Sequence, residues 1–276
     1  ELKLGPRSLQ WPDTPVIMGI LNVTPDSFSD GGAHLDPDKA VAHALDMIDA
    51  GAQIIDIGGE STRPGAPEVP PESEIARVIP VIERLAELSP VPISIDTRKA
   101  AVARQALDKG ACLINDVQAL TDPDMMALAA GSGCGVALMH MRGTPATMQA
   151  DTVYGDVVSE IYDFLEERID ACVKAGIARA SIVIDPGIGF GKDLAGNLSL
   201  IKHIGEFRSL GAALMLGHSR KSFIGLTLEA PVDEREEGTD AVSAWAMLEG
   251  VDIIRVHDVK RAARVRAMLK AIKDST

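Results

Sequence analysis

One pattern recurs eight times along the chain and constrains its fold more than any single motif. Short apolar, β-branched runs at 16–21, 53–57, 92–95, 112–114, 136–139, 181–184, 213–216 and 252–256 each precede an amphipathic helical stretch. The helical stretches carry start and stop signals. Asp36-Pro37 opens the first and Gly51 ends it, Asp122-Pro123 opens the fourth, and Gly110 closes the third. The remaining stretches read as 72–88, 155–175, 197–208, 221–227, 237–249 and 259–273. No linker, charge block or low-complexity segment divides the units. Eight β/α units in 276 residues predict one α/β domain over 1–276, a closed parallel (β/α)8 TIM barrel. An open doubly wound sheet would need edge strands, and no run carries the charges that usually protect an edge.

The sequence excludes several kinds of partner. Basic residues number 27 and acidic ones 40, a net charge of −13. That balance argues against nucleic acid and against an anionic membrane surface. Five Phe, two Tyr and two Trp are too few for a base-stacking platform. No apolar run reaches membrane-spanning length. Cys112, Cys134 and Cys172 are far apart and lack zinc-ligand spacing, so they read as small buried hydrophobes in a reducing cytosol. No basic-then-apolar segment opens the chain, and a cytoplasmic location is expected.

In such a barrel the chemistry sits where the strands end. The polar residues nearest those ends are Asn22, Asp56, Asp96, Asn115, His140, Asp185, His218 or Ser219, and Arg255 with His257. Asp and Asn after a strand also cap helices and form turns, but eight polar groups in register point to a rim that binds a small polar ligand. A cationic set, Arg63, Arg220, Lys221, Arg255 and His257, follows strand ends in an otherwise acidic chain and suits a phosphate or pyrophosphate. Ser219-Arg220-Lys221-Ser222 leads into a helix near strands 7 and 8, where barrels often hold phosphate. Gly187-Ile188-Gly189-Phe190-Gly191-Lys192 has the wrong spacing for a P-loop, and Asp193 replaces its Ser/Thr; it reads as a flexible loop over the site. His34, His43 and His203 are expected at the surface.

Several longer stretches resemble the dihydropteroate synthase family. They are Met18–Gly32 (MGILNVTPDSFSDGG), Asp56–Gly65 (DIGGESTRPG), Ser94-Ile95-Asp96-Thr97, Ile114-Asn115-Asp116, Leu138-Met139-His140-Met141, Asp185–Lys192 (DPGIGFGK), Ser219–Ser222 and Arg255–Val259. The resemblance covers about residues 16–260, in order. It implies condensation of 6-hydroxymethyl-7,8-dihydropterin pyrophosphate with 4-aminobenzoate by a dissociative substitution, in a homodimer. It implies that Asp185 accepts the pterin's 2-amino and N3–H donors, with Asp96, Asn115 and Lys221 serving the other ring atoms. Asn22 is implied as a Mg²⁺ ligand, and Thr62, Arg63, Arg255 and His257 as phosphate ligands. Phe28, Pro64, Phe190, Lys221 and Ser222 are implied around 4-aminobenzoate, the arylamine that sulfonamides mimic.

Two other readings share part of this pattern. A methyltetrahydrofolate methyltransferase-like barrel would keep the pterin carboxylate and amides but would not need the Thr62–Gly65 loop or Arg255 and His257. A non-catalytic pterin-binding paralogue would be expected to have lost Asn22, Arg63 or Lys221, and all three are present. His218 and the Gln118-Ala119 pair depart from the usual family pattern, at the pocket's edge.

Overall fold

The structure, a computed structural model, describes residues 1–11, 14–24, 36–61 and 65–275. Among them, eight parallel strands close a barrel: β3 (Val16–Asn22), β4 (Ile54–Gly58), β5 (Ile93–Asp96), β6 (Leu113–Asp116), β7 (Gly135–Met139), β8 (Ile182–Asp185), β9 (Ala213–Gly217) and β10 (Ile253–Val256). They pair in chain order, and β10 closes onto β3 with Ile253 opposite Val16. Helices pack outside: α1 (Pro37–Asp49), α2 (Pro71–Leu88), α3 (Ala100–Asp108), α4 (Pro123–Ser132), α5 (Val157–Lys174), α6 (Leu194–Lys202), α7 (Ser222–Leu228), α8 (Glu236–Leu248) and α9 (Val259–Asp274). The molecule is a (β/α)8 barrel. No described helix is long and apolar enough to cross a membrane.

The helix starts follow from short polar side chains. Asp36, Asp122, Asp156 and Asp258 each accept backbone N–H groups in the first turn of the helix they precede, satisfying donors that the helix cannot. The stretch expected as one helix over 197–208 is two elements. Asp193 caps α6 by accepting Gly196 N–H at 2.7 Å, which starts the helix earlier. Beyond His203 a 3₁₀ segment, Ile204–Leu210, takes over. Its buried residues are Ile204, Phe207 and Leu210, a spacing of three that stacks on one edge of a three-residue turn.

One element was not expected. A short antiparallel hairpin, β1 (Leu2–Leu4) and β2 (Arg7–Leu9), precedes the barrel. Leu2 and Leu4 are buried with Val16, Met18, Ile54, Leu113, Ala137, Val183, Met215 and Ile253, so the hairpin stoppers the lower end of the barrel. Gly135 leaves room for it, since a Cβ there would lie 2.4 Å from the Leu4 side chain.

Strand parity positions the site. Side chains alternate across a strand. Ile17, Ile55, Ile95, Ile114, Leu138, Ile184, Leu216 and Ile254 face the helices in one large core. Their neighbours Met18, Ile54, Leu113, Ala137, Val183, Met215 and Ile253 fill the interior. Two residues further along the interior-facing series come Asp56, Asn115, Asp185, Gly217 and Arg255. Asp96 joins them, opposite Asn115 in register. The apolar interior therefore ends in a polar layer at the C-terminal mouth.

Candidate active site at the barrel mouth

Arg255 is the hub of that layer. Its Nε donates to Asp56 Oδ2 at 2.6 Å and its Nη2 donates to Asp96 Oδ2 at 2.6 Å. Asn115 Nδ2 donates to the same Asp56 oxygen at 2.9 Å. The other oxygen, Asp56 Oδ1, is buried with no hydrogen-bond partner among the described residues. A buried carboxylate oxygen without a donor is costly in the free protein. It marks a place where a ligand with N–H groups would be welcome.

Two carboxylates share one guanidinium, and the protonation of Asp96 reflects both its burial and these neighbours. Burial pushes Asp96 up to about 7; Arg255 pulls against this, while Asp56 and Glu74 reinforce it. Burial opposes the charge on Arg255 too, but Asp56 and Asp96 outweigh it and leave the guanidinium more firmly protonated than usual.

Asp185 closes the far side of the mouth. It is 3% exposed, and its Oδ1 accepts Gly187 N–H at 2.8 Å. Its Oδ2 lies 3.5 Å from where a Cβ on Gly217 would sit, so the absent side chain leaves open space beside the carboxylate. Burial raises the Asp185 carboxyl, with Lys221 and the Gly187 N–H pulling it down. Lys221 is held down to about 8 by burial, against the attraction of Asp185. Its Nζ donates to Ile188 O and stands 4.5 Å from the centre of the Phe190 ring.

The remaining rim residues divide. Asn22 ends β3 beside Gly58 and is half-buried. His257 Nδ1 and Ser219 Oγ are 3.0 Å apart, joining the ends of β9 and β10. Ser222 is the exposed first residue of α7. Thr62, Arg63 and Pro64, as well as Phe28 and His34, lie outside the described residues. His140 and His218 were counted with the rim, but parity turns both outward. His140 packs edge-on against Phe164, and burial with nearby Lys192 and Arg142 lowers it to about 3. His218 Nε2 bonds Thr239 O at 3.1 Å and Ser243 Oγ at 2.8 Å on α8, and burial lowers it to about 4. Both are neutral histidines of the outer core.

The five-cation reading also changes. The Arg220 guanidinium is taken by Glu236, and Arg255 by two carboxylates. The Gln118-Ala119 departure sits in a tight turn. Asp116 faces outward and accepts Gln118 N–H and Leu120 N–H, while Ala119 and Leu120 have φ of 53° and 54°. A left-handed Ala costs roughly 1–2 kcal/mol, and the Arg168 bonds to both carbonyls help hold the turn. Cys112, Cys134 and Cys172 are unpaired and buried, as small hydrophobes.

No group of three or more His, Cys, Asp or Glu side chains among the described residues is arranged around a metal. Asn22 at the rim carries an amide oxygen, one hard donor of the kind Mg²⁺ accepts, and Mg²⁺ with few protein ligands relies on water and substrate phosphates.

Residues 18–257 match the family model described as pterin binding enzyme. The chain is 49% identical over 257 residues to dihydropteroate synthase of Escherichia coli K12, covering 93% of this chain and 91% of that one. A Xanthomonas albilineans dihydropteroate synthase structure with 4-aminobenzoic acid superposes with a TM-score of 0.90 at 45% identity, over 96% of this chain and 95% of that one. A Yersinia pestis dihydropteroate synthase in a sulfonamide drug complex also gives 0.90 at 45% identity, over 97% and 99%. A barrel with this polar layer at its mouth, and with identity and coverage of this extent, belongs to the dihydropteroate synthase family of pterin-binding enzymes.

Proposed function

We propose that the protein joins 6-hydroxymethyl-7,8-dihydropterin pyrophosphate to 4-aminobenzoate, releasing pyrophosphate and 7,8-dihydropteroate. The observation that carries this reading is the layer of Asp56, Asn115 and Asp185, all buried, and partly buried Asp96 around Arg255, with Lys221 beside it. A pterin is a flat ring edged with donors and acceptors. Asp185 accepts its 2-amino and N3–H pair, Asp96 and Asn115 take other ring nitrogens, and Lys221 donates on the O4 and N5 side. A pocket of such groups rejects rings that leave them unpaired.

The chemistry then depends on the leaving group. An arylamine is a weak nucleophile, whereas the pterin's exocyclic carbon forms a resonance-stabilised cation when pyrophosphate departs. Preorganised positive charge at the departing oxygens is the largest lever available. Arg255, His257, Thr62 and Arg63 are assigned to those oxygens. Asn22 would hold Mg²⁺, which supplies further charge neutralisation there when bound. Phe28, Pro64, Phe190, Lys221 and Ser222 form the arylamine side. Water carries off the amine proton, so no strong general base is needed. The reading includes a homodimer in the cytoplasm.

With Mg²⁺ and both substrates, pyrophosphate release should match arylamine consumption and give dihydropteroate by mass. Absence of product under every metal condition would exclude the reaction.

The pH profile follows from two groups. A carboxyl titrating near 7 gains its charge as pH rises, and an ammonium titrating near 8 loses its charge. Enzyme with Asp96 and Lys221 both charged is therefore most abundant between these values. We expect kcat/KM for the pterin pyrophosphate to peak there, with apparent values belonging to the coupled set. Asp96→Asn should remove the acid limb.

A further inference from the structure

We propose that Lys192 is a positioning residue for the arylamine side of the site, an inference that rests on the function proposed above. Lys192 is 3% exposed, and none of the roles assigned above uses it. Its Nζ donates to Gly187 O at 2.8 Å, Phe190 O at 2.8 Å and His140 O at 3.3 Å, and meets His140 Nδ1 at 3.0 Å. The three carbonyls are acceptors, and the part His140 Nδ1 plays follows its tautomer.

What this amine organises is an unusual piece of chain. Gly187, Gly189 and Gly191 all lie in the left-handed region, at φ of 72°, 85° and 66°. At Gly187 a Cβ would fall 1.9 Å from His140 O, so the loop runs hard against the end of β7. A chain with three glycines in five residues has many alternatives to its native shape. Here each residue is tied. Gly187 is held by Asp185 and Lys192, and Ile188 O by Lys221. Gly189 N–H donates to Asn197 Oδ1 at 2.6 Å, and Tyr154 Oη donates to Gly191 O at 2.9 Å. Among the described residues, Lys192 alone ties Gly187 and Phe190 to the segment that leaves β7.

The turn carries Phe190, whose ring packs with Met139, Met148 and Val117 and meets Lys221. Moving the turn moves the ring and the carbonyl that receives Lys221. Asp185, by contrast, is held in β8 by its strand pairing. Loss of Lys192 should therefore disturb the arylamine pocket more than the pterin pocket. A sequence reading that sees only a failed P-loop lysine misses this, because the residue acts on its own loop's backbone rather than on a ligand.

The test is Lys192→Met, with Lys192→Gln as the variant that keeps an N–H donor group on a shorter side chain. Hydrogen–deuterium exchange of the 187–191 amides should accelerate about tenfold in Lys192→Met, as those hydrogen bonds open more often. KM for 4-aminobenzoate should rise about tenfold or more, while calorimetric affinity for the pterin pyrophosphate changes less than about threefold. Lys192→Gln should fall between wild type and Lys192→Met in both readouts, and it decides the question alone if Lys192→Met does not fold. Unchanged exchange in a folded variant, or equal losses for the two substrates, would overturn the assignment. A wild-type protein that makes no dihydropteroate would instead remove the proposed function, and the exchange result would still decide whether Lys192 holds the turn.

Discussion

Asp185→Asn should lower kcat/KM for the pterin pyrophosphate by about 10³–10⁴-fold, because a site built to accept from a donor edge would then present a donor to it. The amide can keep the Gly187 N–H bond through its oxygen, which leaves its NH₂ on the ligand side. A second loss follows. Asp185 is the main attraction that keeps Lys221 charged against burial, so the variant's ammonium should titrate below about 8 and the alkaline limb should move to lower pH. Stability should move the other way. A carboxyl raised by burial binds its proton more tightly in the folded protein than in the unfolded one. Its charge therefore costs stability as pH rises through that range, and a neutral isostere avoids the cost. The expected result is a melting temperature at or above wild type with calorimetric pterin affinity largely lost. Unchanged affinity would remove Asp185 from the pterin site.

Arg255→Ala should cost about 3–5 kcal/mol of folding stability, the usual effect of stranding buried charge by deleting one partner. Asp56 Oδ2 and Asp96 Oδ2 both lose a 2.6 Å donor, and the two carboxylates face each other. The sign with pH is definite. Arg255 is the strongest influence lowering Asp96, so without it Asp96 titrates higher still than about 7. Protonation relieves the repulsion, and the penalty should be larger near about pH 8 than near about pH 6. Denaturant melts at the two values test this directly. Arg255→Ala should also weaken pyrophosphate binding more than binding of the bare pterin. Equal losses would mean that the guanidinium serves the carboxylates and not the phosphates.

The fold was legible because eight repeats of one pattern leave little else to build. The strand ends came out within about two residues, which is usual for boundaries. The hairpin Leu2–Leu4 with Arg7–Leu9 escaped notice because three-residue strands carry almost no periodic signal. The site was legible residue by residue and less so as a web. Asp56 was placed on the rim but given no task, although an Asp two positions after Ile54 must share its face of the strand. The same counting would have turned His140 and His218 outward. What no single-sequence pattern contains is which carboxylates a given arginine joins, because Asp56, Asp96 and Arg255 are far apart in the chain and meet through barrel closure.

The side chains that fill the barrel and the leucine stopper beneath them close its lower end, so the polar layer stands on an apolar floor. A molecule held by Asp185 and Asp96 has no passage through that floor. All traffic is thereby confined to the mouth, by residues at the end of the barrel where no chemistry happens.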